Sequence, residues 1–183
     1  MDDVRTAMTL DAKCAGDLVY VFGETKDELG ASEYYCLHEV VGTNVPMVDP
    51  KKNGLLYRAL SDAITNGLVA SAQSIHRGGL GVALAKTAVG GMLGMNVTLT
   101  DLPGVVENDR VALWSESQGR IVVTVAPEKK RAFEQKLSGN PFKEMGVVRG
   151  DPTFTIAGIG GKQIVKTTVQ ELKKAYESTF KDY

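Results

Sequence analysis

Three passages of this sequence carry residues whose types and spacing could do chemistry. The first is SAQSIHRGGLGVALA, residues 71–85, where a strand pattern runs into two glycines and then a helix pattern. That order aims backbone N–H groups and the positive end of a helix dipole beyond the strand, and glycine lets a phosphate approach the backbone closely. Arg77, Gly78 and Gly79 are therefore the candidate anion or phosphate site, with His76 as a neighbour able to assist. The same glycine pair also suits tight packing at a strand-to-helix turn, and the fuller P-loop and dinucleotide fingerprints are missing from it. The second passage is WSESQGRI, residues 114–121. Glu116 accepts hydrogen bonds, Ser117 supplies a hydroxyl and Gln118 both donates and accepts, so the run could hold the hydroxyl or amide groups of a small substrate. It is equally good turn composition. The third passage, GETKDELGASEYY at residues 23–35, carries Glu24, Asp27, Glu28 and Glu33. Their spacing lacks the Asp-x-Asp-x-Asp-Gly pattern of a calcium loop, which makes a solvated acidic face the expectation.

No complete catalytic set is legible, and no metal-ligand set. The two histidines, His38 and His76, stand outside any triad context. Cys14 and Cys36 are too far apart for a CxxC pair, and His38 beside Cys36 has no zinc spacing. Both thiols are expected to be small buried or half-buried residues.

The elements that must position these passages follow from periodicity and punctuation. Residues 4–12 read as an incoming extended segment, and DLVYVF at 17–22 as a strand closed by Gly23. A helix is expected from Ser32 to Glu39. Asp49-Pro50 supplies an N-cap and a first helical residue, and Leu55, Leu56, Ala59, Leu60, Ala63 and Ile64 form one apolar stripe that Asn66-Gly67 ends. A buried strand from Leu68 leads to Gly78-Gly79. The helix after it is apolar nearly all round and is expected to be central. Met95–Thr100 reads as a strand, Asn108–Ser115 as a short helix, Arg120–Ala126 as a strong strand, and Pro127 as the start of a helix with Phe133 and Leu137 inward. Phe142–Val148 and Thr153–Ile159 are predicted to form a hairpin around Arg149-Gly150-Asp151-Pro152. Thr168 and Glu171 form a capping box that starts a last helix with Val169, Leu172, Tyr176 and Phe180 inward. The alternation with uneven spacing predicts an α+β class: a layered α/β/α domain with a mixed β-sheet flanked by helices.

Composition bounds the setting. The chain has 183 residues, 43% of them hydrophobic, and its 21 Lys+Arg against 22 Asp+Glu leave a net charge of -1. That balance excludes a generally basic nucleic-acid binder. No run approaches the roughly 18 apolar residues of a membrane span, and the charged, polar start MDDVRTAMTLDAK lacks the apolar run of a secretory leader, so a cytoplasmic protein is expected. Without repeats or linkers, residues 1–183 read as a single domain. Glycine is in excess, at 20 residues, and several of these fall in the three passages.

Taken together and in order, the passages resemble phosphoribosylformylglycinamidine synthase, a glutamine-dependent family of purine biosynthesis. GETKDELGASEY is similar to the family's G-E-T-x-x-E-L-G-G-S-E-Y, RGGLGVALAKTAVGGMLG to its D-G-G-L-x-V-A-L-A-E helix, and ENDRVALWSESQGRIVV to N-D-x-x-L-F-S-E-S-x-x-R. The C-terminal GGKQIVKTTVQELKKAYESTF also resembles the family, so the likeness covers essentially the whole chain. It implies the AIR-synthase-related C-terminal domain, as a fragment of a larger multidomain enzyme. That enzyme converts formylglycinamide ribonucleotide to the amidine with ATP, Mg and ammonia from glutamine. The resemblance further implies partner domains of the AIR-synthase N-terminal type that carry the ATP and Mg sites, a glutamine amidotransferase in the full complex, and an isolated chain that is not catalytically complete. A homodimer is compatible with it, and a non-catalytic structural or dimerisation module is the alternative reading. In another copy of the domain an E-S-Q segment contacts the nucleotide substrate, which would make Glu116, Ser117 and Gln118 substrate-binding by pseudo-equivalence. This sequence departs from the family's S-A-H-D-x-S-D-G-G-L: Gln73 stands at its His, and Ser74 and Arg77 replace its two acids. The expectation is an anion-binding surface without a metal.

Overall fold

The computed structural model describes residues 4–178. Seven strands, β1 (Leu18–Phe22), β2 (Ser71–Ser74), β3 (Gly94–Thr98), β4 (Ile121–Val125), β5 (Phe142–Arg149), β6 (Thr153–Ala157) and β7 (Gln163–Thr168), form one sheet in the order β2-β4-β1-β5-β3-β6-β7. Every neighbouring pair is antiparallel except β3 with β6, so the sheet is mixed as expected. Side chains alternate across a strand, and β1 shows the result: Val19 and Val21 enter one core, Tyr20 and Phe22 the other. A strand apolar on both faces needs helices on both faces.

Those helices are α1 (Glu33–Leu37), α2 (Pro50–Thr65), α3 (Gly79–Gly91), α4 (Asp109–Trp114), α5 (Lys130–Lys136) and α6 (Val169–Glu177). On one side Leu56, Leu60 and Ala63 of α2 and Phe133 of α5, followed by Leu137, pack on Tyr20 and Phe22. On the other, Leu80, Ala83, Leu84 and Ala88 of α3 share a core with Ala112 and Leu113 of α4 and Val169 of α6. The layering is α/β/α, and α3 is the central helix of its face.

Local chemistry sets the ends. Asp49 accepts from the N–H groups of Lys51 and Lys52 at 3.1 Å each, and Asn66 closes α2. Thr168 and Glu171 form the expected capping box. Other expectations need correction. Residues 4–12 open with a short 3-10 turn, Val4–Thr6, and form no strand. Leu55 of the apolar stripe is 60% exposed, and Tyr176 of α6, expected inward, is also 60% exposed. Phe180 lies outside the described residues. Cys14 and Cys36 are both exposed.

The hairpin expected across Arg149–Pro152 does not form, because β3 lies between β5 and β6. The connection crosses the end of β3, where the Gly94 N–H donates to the Asp151 carbonyl at 3.1 Å. A Cβ on Gly94 would sit 2.2 Å from the Thr153 carbonyl oxygen, so only glycine admits the crossing. The hairpin in this region joins β6 to β7 instead, through a loop closed by Gly158 N–H to the Lys162 carbonyl at 2.8 Å.

Candidate functional site

The three passages meet at one end of the sheet. Residues 115–119 leave α4 and enter β4, residues 23–33 leave β1 and lead to α1, and residues 75–79 leave β2 and enter α3. At their junction lies Arg120, 1% exposed and the largest fully buried side chain among the described residues. Its guanidinium donates to the carbonyls of Ser117 (3.1 Å) and Ser115 and to the Thr25 hydroxyl (3.0 Å). Burial pulls its pKa down to about 10, while the carboxylates of Glu28 and Glu116 pull it back up.

The serines bind the third passage to the second. The Ser115 hydroxyl donates to the Lys26 carbonyl at 2.7 Å, and the Ser117 hydroxyl accepts from the Lys26 N–H at 3.1 Å. Glu116, 9% exposed, turns inward. Its Oε1 accepts from the N–H of Glu33, the first residue of α1, and of Gly78, the N-cap of α3, both at 2.9 Å. One carboxylate thus sits at the positive ends of two helices, where a negative charge is favoured. The Gly79 N–H is used as well, by the His76 carbonyl at 2.8 Å.

The glycines have a packing reason. Gly78 and Gly79 have φ of 82° and 67°, and a Cβ on Gly79 would lie 2.5 Å from the Leu113 carbonyl oxygen. The start of α3 is pressed onto the end of α4. Arg77 extends outward, with a side chain 80% exposed, and its guanidinium pairs with the Glu33 carboxylate. Trp114 stacks on Tyr34 with ring centroids 6.1 Å apart, which joins α4 to α1.

The acidic passage is only partly a solvated face. Asp27 is exposed, but Glu28 is 7% exposed, with Oε1 accepting from the Met47 N–H at 3.2 Å and Oε2 buried without a partner. A carboxylate reads as surface in a sequence, and its burial here comes from the 38–49 loop folding over it. Glu28, Glu33 and Glu116 do not make a magnesium site. Glu116 is committed to backbone N–H groups and Glu33 to Arg77, and no group of three His, Cys, Asp or Glu among the described residues could hold a metal ion. No helix among the described residues is long and apolar enough to cross a membrane.

Of the sequence-derived candidates, Gln118 alone in its triplet is exposed; its amide nitrogen donates to the Glu116 carbonyl at 3.0 Å. Gln118 and Gly119 border a cavity of about 270 Å³ whose other walls are Gly23, Glu24 and Lys26, Met47, the start of α2 and Gly139–Pro141. Sequence reasoning missed Arg120 and this cavity. Arg120 directly precedes an apolar strand, and nothing in its neighbours separates an inward guanidinium from an outward one.

Residues 15–158 match the family model described as "AIR synthase related protein, C-terminal domain". The chain is 38% identical, over 90% of its length, to phosphoribosylformylglycinamidine synthase subunit PurL of Methanocaldococcus jannaschii. It is 32% identical, over 99% of its length, to the same subunit of Caldanaerobacter subterraneus subsp. tengcongensis. It spans less than a quarter of each relative, 22% and 24%. Among solved structures, the fold is similar to Thermotoga maritima PurL complexed with FGAR, with a TM-score of 0.80, 21% identity, and coverage of 92% of this chain and 30% of that one. Hydrogenase maturation protein HypE in complex with ATP shares the fold at a TM-score of 0.64 and 16% identity, over 91% of this chain and 54% of that one.

Proposed function

The chain belongs to the family of AIR synthase related proteins, C-terminal domain, and from that premise we propose that it serves as the C-terminal domain of a phosphoribosylformylglycinamidine synthase. The observation that supports this reading best is the 38% identity carried across 90% of the chain to a PurL subunit. In the proposed reaction ATP phosphorylates the amide oxygen of formylglycinamide ribonucleotide. Ammonia then displaces phosphate to leave the amidine, with ADP as the other product. ATP and Mg are held by partner domains of the AIR-synthase N-terminal type, and a glutamine amidotransferase supplies the ammonia. The relative lengths favour a division of this kind, since three quarters or more of each PurL relative lies outside the matched region.

Within this reading the two candidate sites divide their labour. Gln118 is the substrate-facing member of its triplet, while Glu116 and Ser117 hold it: Glu116 anchors two helix starts and Ser117 grips Lys26. The anion candidate of Arg77, Gly78 and Gly79 narrows to the Arg77 guanidinium, because the N–H groups of both glycines already have acceptors. Its partner Glu33 is a competitor that an incoming phosphate would displace.

The test is amidine formation from formylglycinamide ribonucleotide, ATP, Mg and ammonia, followed by chromatography. The chain alone should give no product, and the chain combined with the remaining domains of its synthase should give it. Turnover by the pure chain would overturn its role as an incomplete part. A mixture that stays inactive, while the unbroken synthase works, would overturn the assignment.

A further inference from the structure

We propose that the groove between α3 and α6 binds a small amphiphilic monocarboxylate, with its apolar body along the two helices and its carboxylate on Lys86. The inference goes beyond the synthase reading and uses none of the contacts assigned to Glu116, Gln118 or Arg77. It starts from the one charge in α3. That helix is apolar nearly all round, and two polar side chains interrupt it. Thr87 is accounted for: it is 1% exposed, and its hydroxyl donates to the Ala83 carbonyl at 3.1 Å. Lys86 is not. It is half-buried, and its ammonium has no hydrogen-bond or ion-pair partner among the described residues.

Lys86 lines a groove of about 540 Å³, a volume within the ~300–1,000 Å³ usual for small-molecule sites. Helical spacing puts Val82, Ala85 and Val89 on the same wall as Lys86, and Leu172 and Tyr176 of α6 form the wall opposite. Tyr176, 60% exposed, supplies the rim. Leu10 closes the groove beside Gly90, where a Cβ would lie 3.0 Å from its Cδ1. This end is fixed before any ligand arrives. The Thr9 carbonyl accepts from the Ala72 N–H and the Thr87 carbonyl from the Ala12 N–H, both at 3.0 Å. Such preorganisation lowers the ordering cost of binding.

Charge on the walls selects the ligand. Lys86 is the only Lys, Arg, Asp or Glu among the lining residues, so the groove carries one positive charge. The flanking charges cancel. Asp11, next to Leu10, is held by Lys13 at 2.6 Å. The charged side chains of α6, Glu171, Lys173, Lys174 and Glu177, sum to zero, and none of them lines the groove. His76, near the start of α3, adds a hydrogen-bond donor: its Nδ1 accepts from the Arg77 N–H at 2.9 Å, which leaves the proton on Nε2. One cation balances one carboxylate. A phosphomonoester carries roughly -1.5 to -2 at neutral pH and would leave charge unpaired against apolar walls, which is costly.

The experiment is an amide proton–nitrogen correlation spectrum of the full chain, titrated with hexanoate, 1-hexanol, acetate and hexyl phosphate. Hexanoate should shift the signals of Val82, Lys86, Val89 and Leu172 saturably in the millimolar range. Hexanol, which lacks the charge, and acetate, which lacks the apolar body, should each bind at least about tenfold more weakly. Hexyl phosphate should also bind more weakly than hexanoate. Lys86→Met should weaken hexanoate about tenfold and leave hexanol unchanged, whereas Tyr176→Ala should weaken both. The proposal is overturned if hexanoate leaves these signals in place, or if hexanol, acetate or hexyl phosphate binds as tightly. Unchanged hexanoate binding by either variant would overturn it as well. So would movement of the same signals on dilution alone, because a second copy of the chain would then cover the groove. Only binding at the groove is read, so its failure leaves the synthase assignment standing.

Discussion

Replacing Arg120 by Met would remove the guanidinium that ties the loop after β1 to the turn before β4. The guanidinium is 1% exposed and donates to the Ser117 carbonyl, the Thr25 hydroxyl and the Ser115 carbonyl. Methionine is of similar length, so little volume is lost and the effect is mainly electrostatic and polar. It leaves three acceptors without that donor and removes the positive charge that faces Glu28 and Glu116. Breaking a buried charge arrangement by removing one side costs about 3–5 kcal/mol. In a domain of this size each kcal/mol lowers Tm by about 2–4 °C, which puts the expected fall at roughly 6–20 °C. Urea unfolding followed by circular dichroism reads the loss directly. Arg120→Lys keeps the charge but not the fork of donors, and should fall between wild type and Met. The titration of this group has a defined sign. Its folded pKa, about 10, lies below that of an ordinary guanidinium, so between the two the unfolded chain binds the proton more firmly and this group's contribution to stability rises with pH. At neutral pH it is charged in both states, so the substitution should cost the same at pH 6 and pH 8. A loss below about 1 kcal/mol would refute the idea that Arg120 organises the site.

Other substitutions probe separate links. Glu116→Ala removes the acceptor for the Gly78 and Glu33 N–H groups and should cost about 2–3 kcal/mol, while Glu116→Gln should recover part of it; urea midpoints decide. Gly79→Ala places a Cβ 2.5 Å from the Leu113 carbonyl oxygen at φ 67°, which should cost about 3 kcal/mol or prevent folding, as read by thermal unfolding. Asp17 is 4% exposed with Oδ2 unpartnered, and burial raises its pKa. Its folded state therefore favours the protonated form, so its contribution to stability is greatest below the unfolded pKa and is lost as pH rises through the folded one. Asp17→Asn should accordingly stabilise the chain at pH 7 by about 1 kcal/mol, with the gain shrinking towards pH 4 in parallel melting curves.

Elements whose signals are local were legible in the sequence. Asp49-Pro50 and Asn66-Gly67 bracket α2, Thr168 and Glu171 cap α6, and the unbroken apolar runs of β1 and β4 mark strands covered on both faces. Strand order was not legible, because the insertion of β3 between β5 and β6 depends on a crossing at Gly94 that no short-range signal encodes. β7 was missed for a related reason: QIVKTT is a polar edge strand that pairs on one side only. The candidate site was legible as three passages but not as an arrangement. Nothing in GETKDEL distinguishes Glu28, which is buried, from Asp27, which is exposed. Nor does SESQGR show that Glu116 and Arg120 point inward while Gln118 points outward, since both orientations suit a polar turn before a strand.

The central claim, that this chain works as part of a phosphoribosylformylglycinamidine synthase, is tested most directly in its host. An in-frame deletion of the segment encoding these 183 residues should abolish growth without purines. Hypoxanthine should restore growth, and extracts should accumulate formylglycinamide ribonucleotide. Growth of the deletion strain at the wild-type rate without purines, with no accumulated substrate, would contradict the claim.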